Sequence, residues 1–313
     1  MRVFVAGASG AIGTPLVRQL VAGGHEVVGT YRSAGNADRL RALGAEPVAL
    51  DLLDPAAVRQ AVAQAKPDAI VHQATALASA SFSRNLDKGF AQTNRLRTAG
   101  TDALLAAAQA AGVRRIVGQS FAPYRYIRAG DWVKTEEDPV DPNPPESARQ
   151  TNIAMNHLDE ALTGAGGIAL RYGGFYGAPN DGLVKPVRKG WMPIIGDGHG
   201  FMSFIHVDDA AAATVLALEH DGPAIYNIVD DEPAPTADWL PVMAEALGAR
   251  RPRHLPLWLG RMIAGGGIVQ MTEARGASNA KAKRELGWAL SYPSWRQGFA
   301  AVYGGPGKTR AAA

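Results

Sequence analysis

The sequence predicts an α/β protein: a doubly wound parallel sheet with a smaller C-terminal region. Three observations predict it. Short β-branched runs alternate with helical patterns through the first half, a glycine-rich turn joins the first run to the first helix, and this rhythm loosens after residue 175. The runs are "RVFVAG" at 2–7, "EVVGTYR" at 26–32, "EPVALDL" at 46–52, "DAIVHQAT" at 68–75 and "RRIVGQS" at 114–120. Between the first two, Ile12, Leu16, Val17, Leu20 and Val21 fall on one helical face, Pro15 sits in the first turn, and Gly23-Gly24 ends the helix. Asp54-Pro55 reads as an N-cap followed by proline at the first helical position, and the alanine-rich segment 94–111 as one long buried helix. "GAPNDGLVKPVRKGWMPIIGDGHG" is a proline- and glycine-rich insertion, after which "HVDDAAAATVLALEH" restores a helix and "AIYNIVD" a strand. "TADWLPVMAEAL" reads as a helix despite Pro241, and the tail 305–313 is expected to be disordered.

Composition narrows the function classes. The 313 residues carry 47% hydrophobic and 19% charged side chains, enough for one large core and a satellite region. The net charge is +3 and the basic residues are dispersed, which gives no footprint for nucleic acid. Without cysteine there is no disulfide framework, thiolate metal site or cysteine nucleophile, and no metal-ligand motif stands in its place. The apolar start breaks into glycine after six residues, and no run of about 18 apolar residues occurs, so a soluble, cytoplasmic protein with no membrane association is expected.

Gly7, Gly10 and Gly13 stand at the junction of the first strand and helix. Gly7 suits a tight turn, Gly10 a close backbone approach to a pyrophosphate, and Gly13 a helix lying close to the sheet. Gly7, Ser9, Gly10, Ala11, Ile12 and Gly13 are therefore the expected cradle of a dinucleotide. The second strand ends in Tyr31-Arg32-Ser33, where an NAD site usually offers a carboxylate to the adenosine ribose. A guanidinium suits a 2′-phosphate, so Arg32 points to NADP(H). Asp51 and Leu52, after the third strand, are placed near the adenine; Asp51 serves equally well as a turn residue.

With these residues the chain resembles the short-chain dehydrogenase/reductase superfamily, in its extended and atypical branch of NAD-dependent epimerases and dehydratases. "GASGAIG", "ALDLLD", "VHQAT", "TNRLRTAGTDALLAAAQAAGVRRIVGQS", "LRYGGFYGAPN", "FIHVDDAAAA" and "SNAKAKRELGW" occur in the expected order. The resemblance implies a seven-stranded Rossmann-type sheet with a substrate region over its carboxyl edge. Residues 1–175 would form the NADP-binding domain with 206–230 packing back on it, and 176–205 with 231–304 the substrate-binding region. By position, Ala74, Thr75 and Phe175 would line the cofactor, Asn94 would brace the central helix, Ser120 would be the active-site serine, and Tyr124 would point at substrate. Arg171 and Tyr172 would close the sixth strand, and His206 to Asp209 would begin a packing helix.

One departure is decisive for the chemistry. Members that move a hydride carry a tyrosine and, four residues later, a lysine; one helical turn sets both on one face, where the lysine lowers the phenol's pKa. Here the helix reads "ARQTNIAMNHLDEAL", with Thr151 at the tyrosine position and Met155 at the lysine position, and no tyrosine or lysine lies between 135 and 171. Three readings remain open: an NADP(H)-dependent reductase that uses Ser120, Tyr124 and Thr151; a non-redox lyase, isomerase or cyclase for which His157 and His206 are conceivable bases; and a nucleotide-sensing regulator. Phe175, Tyr176, Trp191, Met192, Ile194, Ile195, Phe201, Met202 and Phe204 favour a small, largely apolar or aromatic carbonyl substrate, with part of the set claimed by packing. The run 254–272 reads equally as a cover for the pocket or as a homodimer face.

Overall fold

The computed structural model describes residues 1–77, 85–178, 181–264 and 268–304; the tail at 305–313, and residues 265–267 of the run 254–272, lie outside the described residues. Seven parallel strands form the central sheet: β1 (Arg2–Ala6), β2 (Glu26–Tyr31), β3 (Glu46–Ala49), β4 (Ala69–His72), β5 (Arg115–Phe121), β6 (Ile168–Tyr172) and β7 (Ala224–Ile228). Their spatial order is β7-β6-β5-β4-β1-β2-β3, so the order reverses between β1 and β4. A crevice for a ligand opens outside the strand ends at such a reversal.

Both faces of the sheet are covered, which is why its strands read as nearly continuous apolar runs. In β1, Val3 and Val5 pack on one side with Leu16 and Leu20 of α1 (Gly13–Ala22), Leu40 of α2 (Asn36–Ala42), and Ala210 and Ala217 of helix Val207–Ala217. Phe4 and Ala6 pack on the other with α3 (Pro55–Ala65), α5 (Thr101–Ala111) and α6 (Arg149–Gly164) through Val58, Val62, Leu104, Ala107, Leu158 and Leu162. The Asp54 carboxylate caps α3 by accepting from Ala56 and Ala57 N–H at 3.0 and 3.1 Å. His206 caps Val207–Ala217 through Nδ1, which accepts from Asp208 N–H at 3.2 Å.

The segment 94–111 is not one continuous α-helix. α4 (Leu86–Arg95) passes into a π-turn at Leu96–Gly100 before α5 begins. The wider turn lets the Leu96 carbonyl meet buried His72 Nε2 at 3.3 Å and turns Arg97 into the interior. Periodicity alone carries no signal for this one-residue bulge.

The smaller lobe has its own aromatic core, in which Phe204 meets Trp239 and Phe299 edge-on at centroid distances of 5.2 Å, beside Tyr176 and Trp295. Tyr176, Ile194 and Phe204 are thereby committed to packing. Helix Thr236–Ala246 accommodates Pro241. Helix Ala280–Leu286 lies in the range expected for the substrate region, yet Ala282, Leu286 and Trp288 pack into the core on the α1 side of the sheet. No helix among the described residues is long and apolar enough to cross a membrane.

Candidate active site at the carboxyl edge of the sheet

The glycine turn is built as its spacing implies, with one difference in what each glycine does. Gly7 has φ +85°, and a Cβ there would lie 2.7 Å from the Ala74 backbone at the end of β4. A Cβ at Gly13 would fall 2.2 Å from the Gly7 carbonyl oxygen and 2.6 Å from Ala8, so the close contact that demands glycine is with the turn and not with the sheet. A Cβ at Gly10 would meet only the Gly7 carbonyl, at 3.2 Å, and would otherwise point into open space. α1 has no side-chain cap and no acidic residue in its first turn, which leaves its N-terminal N–H groups and positive dipole end for an anion. Ser9, Ala11 and Ile12 complete this turn and first helical step.

The strand ends around it carry the other expected cofactor residues. Arg32 is exposed just past β2, with no ion pair among the described residues. Asp51 turns its carboxylate onto Leu53 N–H at 3.0 Å, the turn role, while the Leu52 side chain is buried in the core beside Leu96; any contact of Leu52 with a nucleotide is left to its backbone. Ala74 and Thr75 are half-buried after β4, and Ala74 N–H donates to His72 Nδ1 at 3.3 Å. Burial holds the His72 imidazole down to about 4, so it is neutral. Phe175 packs on Tyr172, ring centroids 5.5 Å apart.

Ser120, Tyr124 and Thr151 share no hydrogen bond among the described residues. Ser120, near the end of β5, is fully buried, and its Oγ accepts from Arg125 Nη1 at 3.2 Å. Tyr124 has φ +66°, a backbone state rare for a bulky residue, and its hydroxyl faces Met202 Sδ at 3.6 Å. Burial pushes this phenol up to about 12, so it keeps its proton. Thr151 Oγ1 donates to Asp87 at 2.8 Å and accepts from Asn94 Nδ2 at 3.1 Å. Asp87 also accepts from Gln150 and Thr151 N–H, which caps α6 from another helix. Asn94 therefore braces Thr151. Met155 is buried in the lysine position. Of the two conceivable histidine bases, His157 pairs with Asp102 at 2.7 Å and His206 is a helix cap lying 4.0 Å from the Tyr292 ring centroid.

Beneath Ser120 lies a charge cluster that sequence reasoning missed. Buried Asp159 on α6 receives Arg171 Nε at 2.8 Å and Arg125 Nη2 at 3.0 Å, and Arg125 also donates to Asn156 at 2.8 Å. Buried Arg97 approaches from the π-turn, with Nε and Nη1 lacking partners among the described residues. Burial, and then the Arg125 charge, lower the Arg97 guanidinium to about 10. Three guanidiniums thus surround one carboxylate. "FAPYRYIR" gives no sequence signal that Arg125 turns inward, since a loop arginine is ordinarily solvated.

The model of the NAD dependent epimerase/dehydratase family matches residues 3–229. The chain belongs to this family. It is 43% identical over 308 residues to the 3-diazoavenalumate denitrifying reductase of a Streptomyces species, covering 96% of this chain and 99% of that protein. The 2-alkyl-3-oxoalkanoate reductase of Stenotrophomonas maltophilia is 30% identical over 266 residues, 80% of this chain and 77% of that one. The human epimerase family protein SDR39U1, solved with NADPH, has the same fold, with a TM-score of 0.72 at 20% identity over 97% of this chain and 99% of that chain. Family and relatives together support an NAD(P)-dependent oxidoreductase with a nicotinamide cofactor.

Proposed function

We propose that the protein is an NADPH-dependent reductase of a small, largely apolar or aromatic diazo compound. The observation that carries this reading is the missing proton donor: Thr151 spends its hydroxyl hydrogen on Asp87, and Met155 replaces the lysine. A carbonyl that accepts hydride becomes an alkoxide and needs a proton. An arene diazonium group that accepts hydride at its terminal nitrogen becomes a neutral diazene, which loses N2 and leaves the hydrogen on carbon. No proton from the enzyme enters that balance. The 43% relative, named for a diazo substrate and a denitrifying reduction, supports the same acceptor. Arg32 at the end of β2 favours NADPH, and the open N-terminus of α1 receives the pyrophosphate. The nicotinamide, when bound, supplies the hydride; the protein's residues orient the acceptor and exclude water.

A carbonyl acceptor is the second reading, favoured by Tyr124, whose protonated hydroxyl stands at the lobe interface beside Met202. Incubation with NADPH and two panels, arene diazo compounds and ketones or aldehydes, separates the two. The expected outcome is one N2 released per NADPH oxidised with the first panel, and slow or no oxidation with the second. Oxidation with carbonyls alone establishes the second reading; none with either panel overturns both.

A further inference from the structure

A run of partly exposed side chains leads away from Tyr124 along the smaller lobe. Tyr124 touches Met202; the neighbouring Phe201 stacks on Trp132 at a centroid distance of 5.4 Å and 21° between planes; and the Arg275 guanidinium lies 3.8 Å from the centre of the Trp132 ring. Backbone pairing fixes the far end, because Gly276 N–H donates to the Trp132 carbonyl at 2.8 Å and Gly276–Ala277 pairs in parallel with Val133–Lys134. Trp132 nevertheless remains 38% exposed.

Arg275 makes no ion pair with a carboxylate among the described residues, although it is held against the indole. The Glu273 side chain is taken by Arg128 at 3.1 Å, and Arg275 receives only the Glu273 backbone carbonyl, also at 3.1 Å. Its Nε has no partner among the described residues. Burial lowers its hold on its proton, the Glu273 charge opposes that effect, and the nearby Arg128 charge adds to it. A guanidinium laid on an indole ring keeps its planar fork in one orientation, which reduces the entropy lost when it pairs with a carboxylate.

We propose that Arg275 and Trp132 form a substrate subsite for an aromatic carboxylate: the acid pairs with Arg275, and the ring lies along Phe201 and Met202 toward Tyr124. This deepens the reductase reading and names the second half of its substrate. The carboxylate supplies the direct ion pair that no side chain among the described residues gives Arg275, and Trp132 acts by holding the guanidinium in place.

Binding needs no turnover, so the subsite can be tested apart from the reaction. 2-Naphthoate and 2-naphthamide, the same ring with and without the charge, are titrated by calorimetry into the protein saturated with NADP+. The naphthoate should bind at least about tenfold more tightly, and Arg275→Gln should weaken it by about 10- to 100-fold while leaving the amide unchanged. Arg275→Lys should recover part of the loss, and Trp132→Leu should weaken naphthoate without altering NADP+ affinity. Equal binding of acid and amide to the unaltered protein, or an equal loss of both in Arg275→Gln, overturns the subsite. Failure to reduce any diazo or carbonyl compound overturns the proposed reaction and leaves this measurement standing.

Discussion

In the proposed reading cofactor choice turns on Arg32, an exposed arginine just past β2, where an NAD site usually offers the ribose a carboxylate. A charge-assisted hydrogen bond to a phosphate is worth about 1.5–3 kcal/mol. Arg32→Ala should therefore weaken NADPH by roughly 10- to 100-fold and leave NADH nearly unchanged in direct titrations. Equal losses for the two nucleotides would remove Arg32 from the phosphate site. Ser120 illustrates what a single position cannot reveal. Its place at the end of β5 is written in the "IVGQS" run, but its partner Arg125 comes from a loop that folds back under it. Asp51 shows the converse: its carboxylate accepts from Leu53 N–H within its own turn, a local contact that its place after β3 already suggests.

Among the elements, the glycine turn and α1 separate folding from binding. A methyl at Gly13 would collide with the Gly7 carbonyl and Ala8, and overpacking of that kind costs about 1–3 kcal/mol. Gly13→Ala should lower Tm by several degrees even without nucleotide. Gly10→Val should fold with a smaller loss of Tm than Gly13→Ala, since its Cβ tightens one contact, with the Gly7 carbonyl at 3.2 Å, yet calorimetry should find NADPH binding abolished. Retained binding in Gly10→Val would make the turn structural alone. α6 carries the other lesson at this scale. Its register was legible, because "ARQTNIAMNHLDEAL" puts Thr151 and Met155 in the tyrosine and lysine places of the family pattern. That Thr151 answers to Asp87 and Asn94 depends on α4, more than fifty residues earlier in the chain.

For the whole molecule, stability is tied to pH through Asp230, which follows β7 where the sheet meets the smaller lobe. Burial pushes its carboxyl up to about 8, with Glu232 and Asp231 adding to the rise, and its Oδ2 has no partner among the described residues. The unfolded chain would release this proton near its usual value of about 4. The raised folded value means that folding takes up a proton, so the contribution is complete below about 4 and is lost as pH rises through about 8. Asp230→Asn stays neutral and keeps an oxygen for Glu232 N–H, which lies 3.3 Å from Oδ1. Its Tm relative to the unaltered protein should climb between pH 5 and pH 8 and level off above. A difference that is flat with pH would show that Asp230 is ionised in the fold.

The sequence by itself determined the parallel sheet, the glycine turn, the family and the absence of the tyrosine and lysine, because each is carried by local periodicity or by spacing within one strand and helix. Tertiary structure alone decided the π-turn at Leu96–Gly100, the bonds that occupy the Thr151 hydroxyl, and the three arginines around Asp159. It also set Arg275 against Trp132, some 143 residues apart in the chain. Such pairings join residues that no periodicity links. Only the folded chain brings them within the few ångströms over which hydrogen bonds and desolvated charges act.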